Sequence, residues 1–210
     1  MNATTHIPPA RRPDFEAIAR WVQPGARVLD LGCGDGSLLR HLTDSRKASG
    51  YGVDISDDNV LACVANGVNV IQSDLEAGLS GFESGSFDYV ILSQTLQAMK
   101  HTERLLKDIL RVGREGIVSF PNFGYWRVRA QLLAGRMPVS PELPFQWYDT
   151  PNIHLFTIAD FETFCRGHGL RILERLVMTD GQPVTTAPNL LGALAFYRLD
   201  RAAGAAPVSA

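Results

Sequence analysis

No stretch of the chain approaches the roughly 18 consecutive apolar residues that a membrane-spanning helix needs. Cysteine is sparse as well. Cys33, Cys63 and Cys165 are odd in number, far apart and without a Cys-x-x-Cys pairing. That excludes a disulfide framework or a cysteine-built metal site as the organising element, and it fits a reducing compartment. No basic block stands out, and a formal net charge of −2 argues against a general nucleic-acid binder. Met1 to Pro13 holds Arg11, Arg12 and three prolines but no apolar core, so it does not read as a secretory signal. A cytoplasmic protein without a membrane partner is expected. Internal repeats are missing, and the single biased tract is the Ala-rich end, Arg201 to Ala210. The remaining composition, 45% hydrophobic and 20% charged over 210 residues, is that of one globular domain with a full core. The expected division is a flexible 1–13, a single domain over 14–200 and a flexible tail over 201–210.

Within that domain, short apolar runs alternate with segments of helical spacing. A first helix is expected over Asp14 to Val22, and Pro24-Gly25 then turns the chain into a strand, Arg27 to Leu31. Leu38, Leu39 and Leu42 sit at helical intervals. A strand ending in Asp54 is followed by Ser56-Asp-Asp58, an N-cap cluster for the next helix. A third strand runs from Val68 toward Asp74. The continuous apolar run Phe87 to Leu92 suits a strand buried on both faces. A helix through Leu105 to Leu110 leads to a fifth strand, Gly116 to Phe120. Helix Ile158 to Cys165 and strands Leu170 to Val177 and Leu194 to Leu199 complete the set. Alternation of this kind predicts an α/β fold: a doubly wound, mostly parallel, seven-stranded sheet. Residues 121–151 break the rhythm with an amphipathic piece, Trp126 to Leu133, and then Pro138, Pro141, Pro144 and Pro151. This insertion after strand five reads as a lid.

The most informative nonapeptide is Val28-Leu-Asp-Leu-Gly-Cys-Gly-Asp-Gly36. Glycines at 32, 34 and 36 let the backbone turn sharply and approach a ligand, and the helix that follows aims free N–H groups at the same spot. The dinucleotide fingerprint Gly-x-Gly-x-x-Gly is not met, because the third glycine comes one residue early and Ser37 takes its place. Asp30, two residues before the first glycine, disfavours a pyrophosphate and suits a ligand carrying an amino group. A nicotinamide or flavin nucleotide and a ligand-free turn remain as alternatives. Cys33 reads as packing within the loop. The pattern Asp-x-Gly-x-Gly-x-Gly after a strand resembles motif I of class I methyltransferases that use S-adenosylmethionine (SAM).

Two further acids stand after successive strands. Asp54, followed by Ile55, can accept both ribose hydroxyls. In the methyltransferases Asp74 would take the adenine amino group with Leu75 packed on the ring; a helix cap is its alternative reading. Ligands of open α/β sheets lie beyond the carboxyl ends of the strands. This brings Ser93 and Gln94 to the sulfonium end of SAM, or to the thioether of S-adenosylhomocysteine in its place. The expected cofactor set is therefore Asp30, Gly32, Cys33, Gly34, Asp54, Ile55, Asp74, Leu75, Ser93 and Gln94. No residue declares itself a base, and no metal site is expected. His154 is the candidate general base, with a buried histidine or a lid contact as alternatives. Asn122, Trp126, Tyr148 and His154 are candidates for touching a substrate or partner, with core packing as the alternative for the aromatics, and Arg127, Arg129 and Arg136 for a cationic stripe, with a solvated helix face as the alternative.

A narrower resemblance rests on the phrases Arg12-Pro-Asp14, Gly67-Val-Asn-Val-Ile71, Tyr89-Val-Ile-Leu-Ser-Gln-Thr-Leu-Gln-Ala98, Ser119-Phe-Pro-Asn-Phe-Gly124 and Trp147-Tyr-Asp-Thr-Pro-Asn-Ile-His154. Together with the glycine loop, and over about Arg11 to Met178, they resemble the methionine biosynthesis MetW family. Tyr125 departs from its pattern, where histidine is expected, and Asp54 stands where glutamate is frequent. The resemblance implies a methyltransferase-like, SAM-binding protein of methionine biosynthesis that assists a homoserine O-acyltransferase. An active methyltransferase on a small molecule is the alternative.

Overall fold

The computed structural model describes residues 12–201. The expected flexible ends fall mostly outside them. Helix α1 (Pro13–Ala19) opens with Pro at its first position, where a missing N–H costs nothing. It is shorter than expected, since the chain bends at Arg20 to Val22 before the Pro24-Gly25 turn. There follow β1 (Arg27–Leu31), α2 (Ser37–Arg46), β2 (Ser49–Asp54), α3 (Asp57–Ala65), β3 (Val70–Gln72), β4 (Phe87–Ser93), α4 (Thr102–Val112) and β5 (Gly113–Pro121). The last third holds α5 (Trp126–Leu133), α6 (Ile158–Gly167), β6 (Leu170–Thr179), β7 (Gln182–Pro183), α7 (Pro188–Leu191) and β8 (Leu194–Arg201).

The sheet has eight strands in the order β3-β2-β1-β4-β5-β8-β6-β7. The first five are parallel, and β8, β6 and β7 continue antiparallel. The strand beyond the expected seven is β7, two residues that fold back on the end of β6 after the Asp180-Gly181 turn. The order reverses between β1 and β4, so the ends of those strands open the crevice that carries ligands in such folds.

Burial explains the elements. β4 is an apolar run because both of its faces are covered, by α4 on one side and by the α1–α2 layer on the other. Helix α4 sends Leu105, Leu106, Ile109 and Leu110 inward, each worth about 1.5–3 kcal/mol when buried. Helix α6 starts at a reciprocal capping box in which Thr157 and Asp160 satisfy each other's backbone N–H groups. Between α5 and α6, residues 134–157 contain no helix or strand, only an isolated bridge from Ser140 to Leu143. A small cluster of Tyr125, Val128, Leu143 and Ala193 pins this insertion to the sheet.

Candidate functional site

At the end of β1 the backbone N–H groups of Gly32 and Cys33 both donate to Val53 O, at 2.8 and 3.1 Å, which turns the loop over β2. Gly32 is left-handed (φ +68°), and a Cβ there would strike the Thr95 hydroxyl at 2.7 Å. Gly34 is also left-handed (φ +57°), but the space around it is open. The loop is thus closed below by the segment after β4 and free at Gly34, where a ligand can approach the main chain. Cys33 fits because Gly52 leaves room for its sulfur, which lies 3.7 Å from Cys63 Sγ. Burial pushes the Cys33 thiol far up, so it is packing and no nucleophile.

Asp54 is buried, and its carboxylate is already engaged. It accepts the N–H of Gly34 at 2.9 Å, the N–H of Ser56 at 2.9 Å and the Asn59 amide at 3.0 Å. A carboxylate has about four acceptor positions, so room remains for one further strong hydrogen bond where the sequence promised two. Asp30 has the opposite character. It is buried, and burial together with the Asp54 charge pushes its pKa up to about 7. No hydrogen-bond donor among the described residues compensates it.

The other cofactor candidates surround this pair. Asp74 caps the single helical turn Leu75–Ala77, accepting from Glu76 N at 2.8 Å, and it stays exposed beside buried Leu75; both are compatible with a rim position. Ile55 is exposed. Ser93 shares a hydrogen bond with Ser119 at 3.0 Å. Gln94 is left-handed (φ +52°), a conformation that costs a non-glycine residue about 1–3 kcal/mol. Its N–H is held by Ser119 O and Oγ, at 2.9 and 3.1 Å. Thr95, Asn59 and Ser119 escaped the sequence reading. Only Asn59, three residues after an N-cap serine, carried any signal.

The substrate or partner candidates do not converge. Asn122 is buried, and all four of its side-chain hydrogen bonds go to the protein itself. It is a bracket. Trp126 is 47% exposed at the start of α5 with the Arg127 guanidinium over its ring, and Tyr148 is 71% exposed and edge-on to Trp147. His154 is tied by its N–H to Gln97 O at 2.9 Å. With His101 it lines a groove of about 900 Å³ between α4, α6 and residues 153–156, which touches no residue of the glycine loop. Among the described residues no group of three His, Cys, Asp or Glu side chains could hold a metal. No helix there is long and apolar enough to cross a membrane.

The comparisons with known proteins converge on one family. A family model described as methionine biosynthesis protein MetW matches residues 12–199. The chain belongs to the MetW family. A bifunctional methionine biosynthesis protein MetXA/MetW of Rhodopirellula baltica is 43% identical over 157 residues, covering 70% of the chain and 25% of that protein. The chain spans between a quarter and a third of the length of the curated relatives it matches. Among solved structures, a SAM-dependent methyltransferase of Mesorhizobium loti superposes with a TM-score of 0.67 at 19% identity, over 90% of the chain and 98% of that protein. The [4+2]-cyclase SpnF reaches 0.64 at 18% identity, over 90% and 81%. This chain therefore has the class I methyltransferase fold, and that fold alone does not decide the chemistry.

Proposed function

We propose that this MetW family member is a SAM-binding accessory subunit that assists a homoserine O-acyltransferase in methionine biosynthesis. The observation that carries the reading is the Rhodopirellula baltica relative, whose single chain unites MetXA and MetW. Functions joined in one polypeptide are favoured partners when they occur apart. The crevice supports the SAM half of the proposal. Open Gly34, the glycine-capped start of α2 and uncompensated Asp30 form a cradle for an amino acid bearing an ammonium, and Asp54 offers one acceptor toward a ribose. The one candidate base, His154, lines the groove and not the crevice. Cofactor occupancy would then report methionine sufficiency to the acyltransferase.

The test is acyltransferase turnover with and without this chain, over a SAM titration. Activation of about tenfold or more is expected, and an unchanged rate defeats the proposal. A second reading, methyl transfer to a small molecule, is supported by the fold shared with a SAM-dependent methyltransferase of Mesorhizobium loti. Labelled product from labelled SAM would establish it.

Asp30 supplies a sharper check on the ligand. Its pKa near 7 means that the free protein holds a proton there at pH 6.5. A bound ammonium favours the carboxylate, so SAM binding at pH 6.5 should release up to one proton. Asp30→Asn should release none. For the ligand-free fold the sign is reversed. A carboxylate raised from 3.8 to about 7 destabilises the fold as pH rises through that window, so Asp30→Asn should melt higher than wild type at pH 8. Calorimetry in two buffers of different ionisation enthalpy reads the proton count, and zero release in the wild type removes the ammonium contact.

A further inference from the structure

Residues 126–155 carry ten of the seventeen large apolar side chains exposed among the described residues. Leu133 is 90% and Trp147 72% exposed. Exposed aromatics, Met137 and arginines in one segment are the composition of a protein interface. The arginines point the same way. Several arginines elsewhere are ion-paired, as Arg175 is with Glu162 and Arg198 with Glu115. Arg127, Arg129 and Arg136 have no carboxylate partner among the described residues. Arg127 lies over Trp126, and Arg129 donates to Gly124 O at 2.6 Å. At its far end the segment runs into the 900 Å³ groove through Ile153 and Leu155, with Phe156, Phe161 and Phe164 lining it. A groove of that kind accepts an anchoring side chain.

We propose that 126–155 is the docking surface for the acyltransferase, which must offer an apolar face rimmed with carboxylates. This rests on the accessory-subunit reading above, and the relative that joins MetXA to MetW selects this occupant over others. The segment is pinned to the sheet through the small Tyr125–Val128–Leu143–Ala193 cluster and the two hydrogen bonds to Gln97 O. A partner that covers it therefore presses on the turn that follows Gln94. That gives a physical connection between the docked face and the SAM crevice.

The test measures binding of the acyltransferase from the same genome to full-length wild type, to Leu133→Ser/Trp147→Ser and to Leu61→Ser/Val64→Ser. The last pair is exposed on α3, away from the segment. Leu133 and Trp147 contribute little to the core, so melting temperatures should stay near wild type. A loss of affinity of at least tenfold in the first variant, with less than twofold in the second, is expected. Equal losses in both variants, or none in either, overturn the docking surface while leaving the partnership standing. No binding by wild type overturns both. Two other results also remove the assignment: a wild-type dimer that the first variant dissociates, which makes the occupant a second copy, and wild-type binding to anionic vesicles that this variant abolishes.

Discussion

Asp54→Ala should weaken SAM binding by about a hundredfold, close to 2.7 kcal/mol. The size follows from what this carboxylate does twice. It fixes the glycine loop through the Gly34 N–H and the start of α3 through the Ser56 N–H and the Asn59 amide. It also keeps one acceptor position for the ligand. On the proposed reading, alanine loses the ribose contact and at the same time frees Gly34, whose surroundings are open. Asp54→Asn separates the two roles. One oxygen can still accept from Ser56 and Asn59, while its NH₂ meets the Gly34 N–H as a donor facing a donor. An intermediate loss is expected. Calorimetric titration checks both variants, and wild-type affinity in Asp54→Ala removes Asp54 from the site.

The sequence disclosed whatever depends on local periodicity and on glycine. β1 was legible to the residue, because Arg27 to Leu31 is flanked by a Pro-Gly turn and by glycines that cannot continue a strand. Helix α5 was equally legible from its spacing. The doubly wound, mostly parallel character of the sheet followed from the alternation of elements, since parallel neighbours are joined by helices. Features set by distant contacts stayed hidden. Strand β7 exists only because a left-handed Asp180-Gly181 turn returns the chain against β6. Helix α7 is four residues long, with its carbonyls at Asn189 and Gly192 receiving Asn122 from 67 and 70 residues away. Polar residues presented the same difficulty in the site. An acid after a strand looks alike in sequence whether its carboxylate is buried without a donor, as that of Asp30 is, or nearly saturated by its own protein, as that of Asp54 is. Partner geometry separates them, and a one-dimensional pattern cannot hold it.

Asn122 gives the largest expected stability effect. Its Oδ1 accepts from Gly124 N at 2.9 Å and from Ile158 N at 3.2 Å, and its Nδ2 donates to Asn189 O at 3.1 Å and Gly192 O at 2.8 Å. One amide thus joins the end of β5, the first turn of α6 and both ends of α7. Asn122→Ala leaves two buried N–H groups and two carbonyls without partners, at about 1–3 kcal/mol for each group that water cannot reach. Allowing for relaxation, about 3–5 kcal/mol should be lost, which lowers the melting temperature of a domain this size by roughly 10 °C. Asn122→Asp should do no better at neutral pH, because a carboxylate would face the two carbonyls. SAM affinity, measured well below the new melting point, should change less than twofold, since none of these four bonds touches the glycine loop. An Asn122→Ala protein that melts like wild type but no longer responds to substrate or partner would show the opposite: an amide held for a ligand, with its internal bonds incidental.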